Sequence, residues 1–268
     1  MPMHPCLIPP RLHFLAPSVV ADLIRVGNAH DGGDILPSAL VNTIDFLVSF
    51  GISDDWSFEK HLKRLNPEIT IHAYDHTISG KAFRSSLIHG LLKLPFGMVS
   101  RDNYLRRYNR LISYNSFFKG EAQHFNERVN REVELSYDVP VEKALRRAIS
   151  EKLLVKIDIE GDEYKIIDSL LTSSDNILGM IIEFHSTGAQ RSTFLDSVQA
   201  LLRRFDIVHL HANNFSPIGS DGLPDVLEMT FVKRSGPASH EKRISLPLPE
   251  IDSPNNPHKV DYQITFVD

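Results

Sequence analysis

KLLVKIDIEGDEYKIIDSLL, residues 152–171, decides the fold class of this chain. Its first eight residues, KLLVKIDI, form the clearest strand in the sequence, a short apolar run rich in branched side chains. An acidic, glycine-containing turn follows, and residues 163–171 read as a helix.

The same alternation extends to both sides. Residues 43–50 (TIDFLVSF) read as a buried strand that stops at Gly51. Residues 57–65 place Phe58, Leu62 and Leu65 at helical spacing, and residues 69–74 (ITIHAY) form a second strand that ends at Asp75. Residues 83–98 are apolar with glycines at 90 and 97, and residues 104–114 read as a helix running into a short strand at 111–114. Downstream come a helix at 141–150, a strand at 177–184, a helix at 194–204 and strands at 206–210 and 226–232. Continuous apolar strands alternating with helices imply a doubly wound, mostly parallel sheet covered on both faces. Only a loop separates the last two strands, so an antiparallel pair is expected at one edge. The predicted organisation is an N-terminal extension (1–24), an α/β domain (25–234) and an extended C-terminal arm (235–268) rich in Pro, Ser, Asn and charge.

Ligands of such sheets bind beyond the carboxyl ends of the strands, near the point where strand order reverses. Polar groups collect at those ends: Gly51, Asp75, Asp158 to Gly161, Glu183 to His185, and HLHANN at 209–214. Gly51 is suited to close approach by a ligand, and Asp75 to holding both hydroxyls of a ribose. The turn after Gly51 reads GISDDWSFE, without the GxGxxG pattern, and Asp54, Asp55 and Glu59 would meet a pyrophosphate badly. That argues against NAD or FAD. A loop at 30–34 (HDGGD) supplies Asp31, Gly32 and Gly33 as further cofactor contacts, or is an ordinary turn. Asp158 and Glu160 alternate at the end of the best strand and can face one cleft. Asp158 and His185 are candidate proton acceptors, and Asp158, Glu183, His185 and His209 are candidate ligands of a divalent metal. Glu160, His211 and Asn213 are candidates for substrate contacts.

The chain has 268 residues, enough for one sizeable core, a formal net charge of −5 and a single cysteine, Cys6. The acidity speaks against a nucleic-acid partner. The basic stretch at 101–110 (RDNYLRRYNR) reads as a solvated helix face or as a phosphate contact. No disulfide forms within the chain, prolines interrupt the apolar N-terminus, and no run approaches the roughly 20 apolar residues that span a bilayer. A cytoplasmic protein without membrane insertion is expected.

These motifs resemble the FkbM family of methyltransferases. VKIDIEGDEYKIIDSLL (155–171) resembles the family's KIDxEG strand-to-helix signature, and IIEFH (181–185) its next strand. RVGNAHDGGD, SFGISDDWSFE and IHAYDHT are similar to a bacterial branch with DGGY, FGI and YDHT elements, although Asp34 stands where that branch has Tyr. HLHANN, LPDVLEMTF and LPLPEIDSPNNP extend the likeness from about Arg25 to the end of the chain. The resemblance implies a Rossmann-like class I methyltransferase that uses S-adenosylmethionine, with His76 of YDHT beside the cofactor. It also implies O-methylation of a sugar or other small-molecule hydroxyl, in a chain compatible with an oligomer. Two rivals stand beside it. A non-enzymatic Rossmann-type binding or assembly domain would need none of these polar strand ends, and a nucleotide-sugar-dependent transferase would need cations beside a diphosphate.

Overall fold

The computed structural model describes residues 3–219, 222–236 and 241–267. Its central sheet has seven strands: β1 (Phe46–Phe50), β2 (Thr70–Tyr74), β3 (Ala122–Phe125), β4 (Leu153–Ile157), β5 (Ile177–Phe184), β6 (Phe205–Ala212) and β7 (Leu227–Lys233). Their spatial order is 3-2-1-4-5-7-6, parallel except for β7, which runs antiparallel to both β5 and β6. This is a doubly wound, Rossmann-like sheet. The antiparallel pair lies at one edge, with the reversed strand one position in and β6 outermost. Strand order reverses between β1 and β4, and their ends therefore frame the switch-point crevice.

Among the described residues seven α-helices flank the sheet or project from it: α1 (Ser38–Thr43), α2 (Ser57–Leu65), α3 (Gly80–Lys93), α4 (Arg101–Phe117), α5 (Val141–Arg147), α6 (Glu163–Thr172) and α7 (Arg191–Leu201). Alternation along β4 divides the core. Leu153, Val155 and Ile157 join Ile166, Ile167 and Leu170 of α6 and Phe194, Val198 and Leu201 of α7. Leu154 faces the other way, with Leu47 and Ile181, onto Val41, Phe58 and Leu62 of α1 and α2. On that second face apolar residues give way to Ser49, Lys156, Glu59 and Thr230 toward the strand ends, all buried or nearly so. Glu59 accepts from the Ser49 hydroxyl at 2.7 Å, and Lys156 lies 3.9 Å from Asp34.

Three local expectations change. Residues 111–114 are the last part of α4, not a strand; the strand next to β2 comes later, at Ala122–Phe125. Thr43 ends α1, so the first core strand starts at Phe46. The segments before residue 25 and after 234 are tied together: His4–Ile8 pairs in parallel with Tyr262–Phe266, which also pairs with Ser245–Leu246. Leu246, Ile264 and Phe266 are buried in the main core, so the C-terminal segment packs as part of the fold. No helix among the described residues is long and apolar enough to cross a membrane.

Candidate functional site

The first turn after the switch point is set by Gly51. It sits at φ +76°, and a β-carbon there would lie 1.6 Å from the Asp158 carbonyl oxygen. Only glycine lets the ends of β1 and β4 come this close. The Gly51 N–H donates to the Tyr74 carbonyl, and the Asp158 N–H to the Phe50 carbonyl, both at 2.9 Å. Asp75 then locks the loop. Its Oδ2 accepts the N–H groups of Ile52 (3.1 Å) and Ser53 (2.7 Å), and its Oδ1 accepts the N–H and hydroxyl of Thr77. Asp75 therefore already serves four donors of its own chain, and any ribose contact has to share it.

Beside this turn opens a cleft of about 460 Å³. Gly51, Asp75 and His76 line it, with Asp158, Glu160, Asp162 and Glu127 adding carboxylates. His76 stacks on Tyr137, ring centroids 4.9 Å apart. The one cation in the lining, Arg128, is held by Asp138 at 2.7 Å and by Glu134 at 3.3 Å. The wall is thus predominantly acidic. Its acidity does not come from the residues first suspected. Asp54 pairs with Arg110, Asp55 accepts from the Ser57 N–H, and Glu59 is buried on the helix-covered face.

Behind Asp158, which lines the cleft, the carboxyl ends of β4 and β5 bring three polar side chains to one point. A donor atom from each of Asp158, Glu183 and His185 lies within 4.8 Å of the other two. His185 Nε2 is 3.9 Å from Asp158, 3.6 Å from Glu160 and 4.0 Å from Glu183. Glu160, at φ +57°, turns back toward this point while its side chain stays exposed. Two of the three are themselves held. His185 Nδ1 lies 2.9 Å from Glu163 Oε1, and Asn213 donates to Glu183 at 2.9 Å.

Burial pushes the Asp158 carboxyl up, against the attraction of Lys156. Burial, with repulsion from Asp158 and Glu228, also raises Glu183 well above the carboxylate range. Burial alone would lower His185, but the Glu163 hydrogen bond and the surrounding carboxylates outweigh it and hold the ring at about 9. Without a bound cation this favours the charged form of the ring at neutral pH.

Four further expectations are revised by placement. Asp31, Gly32 and Gly33 do not line the cleft; Asp31 and Gly32 lie in the turn between the paired strands Leu23–Gly27 and Gly33–Pro37, and Gly33 starts the second of them. That turn is closed by Arg25, which donates to the carbonyls of Asn28 and His30, both at 2.7 Å. His209 stands apart from the three-ligand cluster, with Nε2 on Asp252 at 3.0 Å. His211 is buried between Glu228 (3.3 Å) and Asp261 (3.4 Å), out of a substrate's reach. Both histidines lie on the face of β6 that the C-terminal segment covers, and sequence order alone does not reveal that cover. Asn213 is buried too, and it positions Glu183 in place of a substrate.

The residue missed in the sequence is Glu163. Its Oε1 accepts the N–H groups of Ile159 (3.2 Å) and Gly161 (3.0 Å) as well as facing His185. The available signal was an acidic residue at the first position of a helix, directly after an IEGD turn.

No protein-family model and no curated protein sequence matches the chain. Solved structures do align with it. The fibrillarin pre-rRNA processing protein of Methanococcus jannaschii is 8% identical, over 82% of this chain and 89% of that one, with a TM-score of 0.40. The precorrin-6y C5,15-methyltransferase of Geobacter metallireducens is 9% identical, over 74% and 86%, at 0.37. A 23S rRNA methyltransferase is 11% identical, over 75% and 68%, at 0.35. Likeness at this level carries no functional argument, and the reading of function rests on the geometry above.

Proposed function

We propose that the protein is an S-adenosylmethionine-dependent methyltransferase that methylates a hydroxyl of a small molecule, with a carbohydrate as the expected acceptor class. The observation that carries this reading is the charge of the switch-point cleft. Asp75, Glu127, Asp158, Glu160 and Asp162 line it; its one arginine is paired with Asp138, Glu127 with Arg147 and Asp162 with Lys165, so Asp75, Asp158 and Glu160 are the lining carboxylates without a lysine or arginine partner among the described ion pairs. Such a wall suits a ligand that combines a ribose with a positive charge, and it repels a diphosphate. A nucleotide-sugar reading is disfavoured on the same ground. The strand order 3-2-1-4-5-7-6 and the FkbM-like motifs support the same choice.

Bound there, S-adenosylmethionine supplies a methyl carbon on a positively charged sulfur, which leaves as a neutral thioether. Gly51 keeps the β1 turn low enough for the backbone to reach the ligand, and Asp75 holds that turn rigid. The acidic wall favours the charged methyl donor, and holding the two reactants in line accounts for much of the acceleration. Glu160, exposed at the mouth and 3.6 Å from His185, takes the proton released by the acceptor hydroxyl.

Asp158, Glu183 and His185 Nε2 fit a divalent cation. Two oxygens and one imidazole nitrogen converge, Glu163 orients the ring through Nδ1, and a buried Glu163 oxygen has no hydrogen-bond partner among the described residues. A cation there would make an acceptor hydroxyl more acidic.

Calorimetry of the purified chain tests the reading, with S-adenosylmethionine and a uridine-diphosphate sugar as the two titrants, each with and without EDTA. Micromolar binding of S-adenosylmethionine alone is expected. Binding of the nucleotide sugar, with none of S-adenosylmethionine, would overturn the proposal.

A further inference from the structure

Helices α3 and α4 form a hairpin that leaves the body of the protein. Its base is anchored: Phe83, Tyr114, Phe117 and Phe118 pack on Trp56, Ile52 and Ile78. The two helices meet at Gly90, which faces Tyr104 and Arg107. Beyond that, Gly90 and Leu111 are the only buried residues of the two helices.

The far end is apolar. Ile88, Leu91, Leu92, Phe96, Met98 and Leu105 are all exposed, with Phe96 at 79% and Met98 at 70% of full exposure. Apolar groups this clustered on a surface mark a contact site. The same segment is strongly basic. Residues 80–117 hold seven lysines and arginines against one aspartate, a net +6 in a chain of net −5, so the remaining residues carry −11. Arg110 is paired with Asp54, and Arg107 donates to Ser86. Lys93 and Arg101 flank the turn and are exposed.

Charge selects the occupant. A symmetric pair of hairpins would bring together two segments that each carry a net +6 over residues 80–117. Single-stranded nucleic acid wants aromatic platforms, and the tip is mostly aliphatic. Exposed apolar side chains beside Lys93 and Arg101, on a basic hairpin of an otherwise acidic chain, match an anionic lipid surface. We propose that the α3–α4 tip docks this protein on anionic membranes. Leu92, Phe96 and Met98 enter the headgroup boundary while Lys93 and Arg101 meet lipid phosphates.

Co-sedimentation of the full chain with vesicles tests this, using phosphatidylcholine alone and phosphatidylcholine mixed with phosphatidylglycerol. The chain is expected to pellet only with the mixed vesicles and to be released by salt. Leu92→Asp with Phe96→Asp is expected to abolish pelleting, and Arg101→Glu to weaken it by at least about fivefold, with thermal melting unchanged because these side chains are exposed. Three results would overturn the proposal: no pelleting with mixed vesicles at low salt, equal pelleting of the double variant, or binding of single-stranded RNA or self-association through the tip without vesicle binding.

Discussion

His185 Nδ1 stands 2.9 Å from Glu163 Oε1, although the two residues come from the position just after β5 and from the first turn of α6. The same carboxylate oxygen holds the N–H groups of Ile159 and Gly161, so one side chain shapes the IEGD turn and aims the histidine. Glu163 is fully buried, and its removal should be felt at both places.

Glu163→Gln keeps an oxygen for the turn and removes the charge. The expected outcome is a fold that melts cooperatively and a His185 ring that titrates closer to its ordinary value, read by NMR. Manganese affinity should fall about tenfold or more, read by electron paramagnetic resonance. An unchanged ring titration would refute the orienting role.

Asp158→Asn and Glu183→Gln each remove one ligand charge from the three-residue cluster. Each should weaken manganese binding by at least about tenfold. Full affinity in both variants would place the ion elsewhere. His209→Gln serves as the contrast, because His209 is occupied with Asp252 and is expected to leave manganese binding unchanged.

Gly51→Ala is expected to be the most damaging single methyl addition. The new carbon would meet the Asp158 carbonyl at 1.6 Å in a backbone conformation that disfavours any side chain. A loss of about 3 kcal/mol or more is expected in denaturant unfolding, or failure to accumulate as folded protein. A variant as stable as the parent would show that the β1–β4 ends sit farther apart than described.

The C-terminal segment should loosen in alkali. Burial would lower His211, but its hydrogen bonds to Asp261 and Glu228 hold it at about 10, well above the ordinary 6.5. A group raised in the folded state gives its full stabilisation below its unfolded value and loses it as the pH climbs through the folded value. The melting temperature should therefore fall between about pH 7 and pH 10 in the parent chain, and more shallowly in His211→Gln. Parallel pH profiles for the two proteins would remove His211 from the account.

Local pattern carried much of this far. KLLVKIDI announces a buried strand because every second residue must face one core, and Val155 and Ile157 do so. The alternation of runs fixed a doubly wound sheet, and the strand-end rule pointed to Asp158, Glu183 and His185 before any geometry was known. The same logic misplaced His209 and His211. They alternate correctly along β6, yet which face is covered depends on a segment some 40 residues later, whose Asp252 and Asp261 close over them.

Composition and period-2 and period-3.6 spacing, all short-range properties, therefore determined the fold class, the acidic strand ends and Gly51 as a special position. Tertiary structure alone decided that Asp31 to Gly33 turn a hairpin away from the cleft, that Glu163 meets His185, and that the two ends of the chain share a sheet. Those outcomes turn on contacts between residues far apart in sequence, where burial and charge compensation are settled only once the whole core has closed.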